Sequence, residues 1–264
     1  MSSAISSCRE FSKALRKRLF GLQGGFSRTR NYVKKYSWGR SSSNRRRKCS
    51  SLPRQPTTIT FVWQRGNATL PDWVHALGRD KPLIWVYSGN PRYANAPTPI
   101  DSIVVIRAAI AALAHAPVQV VMTTGYQDVP EEFGTLPSNF HHAAYLPGRA
   151  MAERCDLMVH HGGHSSVMTG LSAGTPAVII PTITERESNA RRLAALGAGE
   201  IVLPVDSADD EKHIDVAEFS AKVHRVPNDA GYLRSARRVA ESMRKFGGAQ
   251  EAAERIERFA GVRN

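Results

Sequence analysis

No run of about 18 apolar residues occurs in the 264-residue chain, so a transmembrane helix is not expected. Residues 1–50 also lack an apolar core followed by a small-residue cleavage site, and no secretory leader is expected. Cysteine is scarce: Cys8, Cys49 and Cys155 are too widely spaced for a metal pair or a disulfide framework, which points to a reducing, cytoplasmic setting. Acidic residues are nearly missing from the start of the chain. Residues 1–56 hold 15 of the 36 Lys and Arg but only one of the 23 acidic residues, Glu10, a balance of +14. The remainder carries 21 basic and 22 acidic residues, or −1, so the overall +13 belongs to an appendage and says little about the rest.

That appendage is rich in Ser, Arg and Lys, with SSSNRRRK at 41–48, and only Phe11–Leu22 has helical spacing. It buries too little apolar surface to offset the entropy of ordering it, so a basic, largely irregular segment is expected. Besides a solvated tail, three functional readings stay open: a tether to nucleic acid or anionic membrane, an organelle transit peptide, and the remnant of a larger domain. From Thr57 the texture changes, and residues 57–264 are expected to form one α/β domain. After an apolar run at Ile59–Trp63, Leu70–Leu77 has a Pro-led helical start and Pro82–Tyr87 reads as a buried strand. Ile100–His115 follows as a helix, Val118–Met122 as a strand, and a proline-bearing loop leads to a third strand at Asp156–His160. Helices are then expected at His164–Ala173 and Glu187–Leu196, with strands at Ala177–Ile180 and Glu200–Leu203. Three closing helices, Val216–Arg225, Ala230–Phe246 and Ala249–Phe259, complete the reading. Short apolar strands alternating with helices imply a parallel sheet covered on both faces. Ligands of such sheets bind beyond the carboxyl ends of the strands, so the turns after Tyr87, Met122, His160 and Ile180 should share one edge.

Those turns carry the chemistry. His160-His161-Gly162-Gly163-His164-Ser165-Ser166 joins a strand to a helix. Two glycines permit close backbone approach, and free N–H groups at a helix start attract anions. His161, Ser165 and Ser166 add side-chain donors, which makes a phosphate site in kind. The plain alternative is a Ser165 that caps the helix and glycines that only make the turn. A metal centre on His160, His161 and His164 is disfavoured, because the spacing does not aim two imidazoles at one ion from successive helical turns. Glu185 and Arg186, after the next strand, suit sugar hydroxyls that need both acceptors and donors. Their alternative is an acidic first helical turn complementing the helix dipole. Tyr145, before Pro147, either stacks on a base or belongs to the core.

The motif HGGHSS…GTPAVIIP…ER…NARRLAALGAG resembles the carboxy-terminal donor domain of GT-B glycosyltransferases in the UDP-glucosyl/glucuronosyltransferase superfamily, of the bacterial macrolide and flavonoid type. The resemblance runs from about Leu70 to Phe259 and implies a Rossmann-like fold, one half of GT-B. It assigns His161, Gly162, Gly163, His164, Ser165 and Ser166, with Gly89 and Asn90 of the first glycine loop, to the nucleotide phosphates. Tyr145, Leu146 and Thr169 fall at the base and ribose, and Glu185 and Arg186 at the donor sugar. Three positions depart from the family pattern: Thr169 replaces a frequent Glu, Glu185 the usual Asp, and Arg186 the usual Gln. The implied reaction is inverting hexosyl transfer from a nucleoside diphosphate sugar to a small-molecule hydroxyl, with no cofactor and no tightly held metal. The family's general base, usually a His, lies in an amino-terminal acceptor domain. Arg16–Leu22 (RKRLFGL) is similar to the end of such a domain, so a truncated transferase, or one completed by a separate acceptor-domain chain, is expected. Two further classes remain: a non-enzymatic nucleotide-binding protein tethered by the basic arm, and a family 28-like glycosyltransferase acting on a lipid-linked acceptor.

Overall fold

The computed structural model describes residues 68–89, 100–206 and 212–259. The basic segment 1–56, the apolar run at 59–63 and Asn90 lie outside the described residues. Six parallel strands form the central sheet: β1 Leu83–Tyr87, β2 Gln119–Thr123, β3 Phe140–Ala143, β4 Leu157–His160, β5 Ala177–Ile179 and β6 Gly199–Ile201, in the order β3-β2-β1-β4-β5-β6. A small antiparallel pair, β7 Val205–Asp206 and β8 Lys212–His213, stands apart from it. The helices are α1 Asp72–Ala76, α2 Ile100–Leu113, α3 Gly148–Arg154, α4 His164–Ala173, α5 Thr184–Ala195, α6 Val216–Asn228, α7 Ala230–Met243 and α8 Gly248–Phe259.

Each sheet face has its own core because successive side chains of a strand point to opposite sides. Ile84, Val86 and Met122 pack on one face with Ile106 of α2 and Phe219 of α6. On the other face Leu83, Trp85 and Met158 meet Met151 of α3, Leu171 of α4 and Leu193 of α5. The strands are therefore nearly continuous apolar runs, as a doubly covered parallel sheet requires. Among the described residues no helix is long and apolar enough to cross a membrane.

The strand register aligns the carboxyl ends. Ala143, Thr123, Tyr87, His160, Ile179 and Ile201 form one row across all six strands. Every turn that leaves a strand at this row emerges on the same edge of the sheet. The strand order reverses between β1 and β4, so the loops after Tyr87 and His160 diverge to opposite sides and leave a crevice between them.

Several element boundaries correct the sequence reading. The proline-bearing loop between the second and third expected strands contains a further strand, β3, and the helix α3. β3 is the outermost strand, and its His141 and His142 are half-buried. His141 Nε2 bonds Gln119 Oε1 at 2.9 Å and His142 Nε2 bonds Thr124 Oγ1 at 2.9 Å. Polar residues satisfied at an edge leave no apolar run to read. Helix α5 begins at Thr184, three residues before the expected start, which moves Glu185 and Arg186 from a loop into a first helical turn.

Candidate functional site

The crevice is built around one imidazole. His161 follows β4, is 8% exposed, and its ring centroid lies 5.8 Å from that of Tyr87 at the end of β1. A glycine flanks it on each side. A Cβ on Gly89 would come 3.2 Å from the ring, and one on Gly163 would come 2.5 Å from Nε2. Gly89 also has φ +113, a conformation that L side chains rarely adopt. The two glycines therefore make a slot for the His161 ring as much as they clear space for a ligand.

Helix α4 starts immediately after this slot. Gly163 is its N-cap and no side chain caps it, so the reading of Ser165 as a cap is not met. The first N–H groups of a ten-residue helix are thus left to solvent or an anion, with the helix dipole favouring negative charge. His164 and Ser165 are exposed, whereas Ser166 is only 8% exposed.

Gly162 makes the turn but offers no donor. Its N–H is given to His160 Nδ1 at 3.0 Å, and its carbonyl accepts from Asn189 Nδ2 of α5 at 3.1 Å. With φ +87, it is also pressed against α5: a Cβ there would sit 3.0 Å from the Arg186 carbonyl oxygen and 2.8 Å from Ile179 Cγ2. In this structure Gly162 shapes the turn, with its N–H and carbonyl both engaged within the protein. His160 is completely buried, and burial pushes its pKa down to about 3, the neighbouring His161 adding to the shift. Its imidazole is neutral, with Nδ1 as an acceptor. The His160 and His161 rings are edge-on with centroids 6.4 Å apart, and no group of three ligating side chains among the described residues is arranged to hold a metal ion.

Asn189 is a member of this site that residue types alone did not single out. Its Nδ2 donates both to the Gly162 carbonyl and to Glu185 Oε1, the latter at 2.6 Å. It thus ties the glycine turn to the first turn of α5. Arg186 Nη1 donates to Thr182 Oγ1 at 2.7 Å, and Lys212 Nζ to the Thr182 carbonyl at 2.6 Å. Glu185 and Arg186 therefore stand beside the glycine turn, with Glu185 also acting as acidic complement to the helix start.

Further along α4, Thr169 lies near Gly148. A Cβ on Gly148 would be 3.7 Å from Thr169 Cγ2. The Thr169 hydroxyl donates to the Ser165 carbonyl at 2.8 Å, so it has only lone pairs left to offer a ligand. Tyr145 is 43% exposed and stacks on Tyr126 at 4.8 Å and 8°, which settles it outside the core. Leu146, by contrast, is 4% exposed and packs in the core with Trp85 and Met151, so its side chain supports the segment and does not line the site. Tyr126, which stacks on Tyr145 in a left-handed backbone conformation (φ 73), had no sequence signal beyond the glycine before it. A separate depression of about 610 Å³ lined by residues including Leu70, His75, Arg79 and Arg154 contains none of the candidate residues.

Residues 107–259 match the model of the erythromycin biosynthesis protein CIII-like C-terminal domain. The NDP-glycosyltransferase YjiC of Bacillus licheniformis is 33% identical over 148 residues, covering 55% of this chain and 36% of that protein. Among solved structures, the glycosyltransferase SnogD from Streptomyces nogalater superposes with a TM-score of 0.61 at 26% identity, over 78% of this chain and 52% of its own. The Streptomyces glycosyltransferase SsfS6, complexed with thymidine diphosphate, gives 0.56 at 27% identity, over 76% and 48%. The chain thus spans about a third of the curated relative and about half of each solved one. The six-stranded parallel sheet is the Rossmann-like half of a GT-B fold, and the chain belongs to the erythromycin biosynthesis protein CIII-like C-terminal domain family.

Proposed function

We propose that residues 68–259 form the donor-binding half of a glycosyltransferase, taking a nucleoside diphosphate sugar whose hexose is passed to a hydroxyl of a small-molecule acceptor. The observation that carries this reading is the His161 imidazole held between Gly89 and Gly163 at the uncapped start of α4, at the point where the strand order reverses. An imidazole edge beside several free N–H groups is a good receptor for a diphosphate, whose charge the helix start favours by roughly 0.3–1 kcal/mol, up to about 2 when partly buried. On one side of that point we assign the half-exposed Tyr145 to a flat base, and Thr169 offers an acceptor to the ribose. On the other side, Glu185 and Arg186 supply an acceptor and donors for sugar hydroxyls.

The hexose transfer itself asks for more than this half. An acceptor oxygen must approach the anomeric carbon to about 3–3.5 Å, and a base must take its proton. We assign both to an amino-terminal acceptor half, in this or a separate chain, in keeping with the share of the solved relatives that this chain spans. No cofactor enters the reading; the nucleotide sugar is the substrate.

Calorimetric titration of the full chain with UDP, TDP and GDP tests the proposal. Binding of one of them, abolished in a His161→Ala, Ser166→Ala double variant that stays folded, is the expected result. A folded wild-type chain that binds none of the three would remove the donor-site reading.

A further inference from the structure

His160 ends β4 at the reversal of strand order, and its ring is completely buried. It makes one hydrogen bond that bears on the site: Nδ1 accepts the Gly162 N–H at 3.0 Å. A neutral imidazole that accepts at Nδ1 carries its proton at Nε2, and Nε2 has no hydrogen-bond partner among the described residues. A buried N–H without a partner is costly, and an apolar side chain of similar size would avoid that cost. His160 is therefore poorly explained as core packing, and what the ring does offer is an acceptor for the turn.

That turn is where an acceptor has most effect. Gly162 lies between His161 and Gly163, its φ is +87, and its carbonyl is held from the other side by Asn189. Held at both its N–H and its carbonyl, Gly162 can change its φ and ψ only if one of these bonds breaks, and such a change would carry His161 out of the slot between Gly89 and Gly163. We propose that His160 is a positioning residue, whose Nδ1 holds the Gly162 N–H and so fixes the turn in the form that presents His161 and the first N–H groups of α4 to a nucleoside diphosphate. The inference rests on the donor-site reading. It assigns to the first histidine of the pair a role distinct from that of the second: His161 faces the anion, and His160 holds the backbone that carries it. Burial, which keeps the His160 ring neutral, preserves the acceptor throughout the physiological pH range.

The test uses the full chain. UDP and TDP are titrated calorimetrically into wild type, His160→Leu and His160→Asn, with thermal midpoints measured alongside; the Asn side-chain carbonyl can accept at about the place of Nδ1. In the Leu variant nucleotide affinity is expected to fall about tenfold, the worth of one hydrogen bond, with a thermal midpoint close to that of wild type, because removing the unpartnered Nε2–H offsets the acceptor lost by the Gly162 N–H. The Asn variant is expected to recover most of the affinity. Histidine 15N spectra of wild type should show an unprotonated Nδ1 and a protonated Nε2 at His160. A folded Leu variant that binds like wild type overturns the inference while leaving the donor site intact. So does a His160 protonated at Nδ1, a readout that stands even where the Leu variant does not fold. Failure of wild type to bind either nucleotide overturns the donor-site reading and this inference with it.

Discussion

A methyl group on Gly163 would stand 2.5 Å from His161 Nε2, while the Nδ1–Cε1 edge of the ring already lies against Gly89. Gly163 itself has φ −58, so alanine meets no backbone strain there, and the only casualty is the position of the imidazole. Gly163→Ala is accordingly expected to weaken nucleotide binding by about tenfold, in proportion to one charge-assisted hydrogen bond, while leaving the urea midpoint close to wild type. Calorimetry paired with urea unfolding checks this, and a large fall in the midpoint with unchanged affinity would contradict it. At Gly89, where φ is +113, alanine should reduce both quantities, since backbone strain of about 1–3 kcal/mol is added to the contact with the ring. At the residue scale the sequence pointed to this turn but not to the partners that hold it. The glycine-histidine pattern and the strand before it located the turn that the strand register brings to the sheet edge, and Tyr145 was legible as a ring before a proline. Leu146, Gly162 and Asn189 were not, because their roles depend on partners distant in the chain: the core below Leu146, His160 and α5 around Gly162, and the carbonyl that Asn189 reaches 27 positions away.

Elements are tied together at β6 by a single carboxylate. Glu200 accepts two bonds from Arg225 of α6, at 2.8 and 2.5 Å, and one from the Tyr232 hydroxyl of α7, with Lys222 at 3.9 Å. Burial pushes its pKa up, but the bonds from Arg225 and Tyr232 and the charges of Arg225 and Lys222 outweigh this and hold it below the usual carboxylate range. A depressed carboxylate stabilises the fold above its unfolded pKa and loses that contribution as pH falls through the folded value. Glu200→Gln should therefore cost about 1 kcal/mol at pH 7, discounted because Arg225 is half exposed and its charge screened. The difference from wild type should shrink at pH values below the usual carboxylate range, and urea unfolding at pH 7 and pH 3 distinguishes this from a pH-independent packing defect. Strands with uninterrupted apolar runs, such as β1 and β4, could be read from sequence to within a residue or so. β3 could not, since only Phe140 of FHHA is buried in the core, and the two histidines at this edge are satisfied by imidazole hydrogen bonds. The start of α5 was misjudged for a related reason: TERES is polar on every side, and what makes it helical is its attachment to the glycine turn through Asn189 and the burial of Ala190 and Leu193.

For the whole molecule, the consequence of this architecture is that ligand binding and global stability are linked through one row of strand ends. The loops after β1 and β4 supply Gly89 and His161, the loop after β5 leads to Glu185 and Arg186, and Tyr145 follows β3, so the proposed donor site draws on elements that only the folded sheet brings together. Anything that binds the native state and not the unfolded chain raises stability by mass action, about 2.7 kcal/mol at a free concentration 100 times its Kd. The nucleotide that binds in calorimetry should therefore raise the thermal midpoint of the full chain in a concentration-dependent way, and Gly163→Ala should shift the whole curve to higher nucleotide concentrations by the same factor that its Kd rises. Helix α8 gives an internal control. It has no buried residue, and Ile256 and Phe259 are 61% and 92% exposed, so it contributes little to the core that links the crevice to stability. Ile256→Ser should leave both the nucleotide Kd and the nucleotide-induced rise in midpoint unchanged. A loss of that rise in the α8 variant would mean that the crevice and this helix are coupled by contacts other than those of the sheet, and a wild-type rise independent of nucleotide concentration would mean that the stabilisation does not come from binding at all.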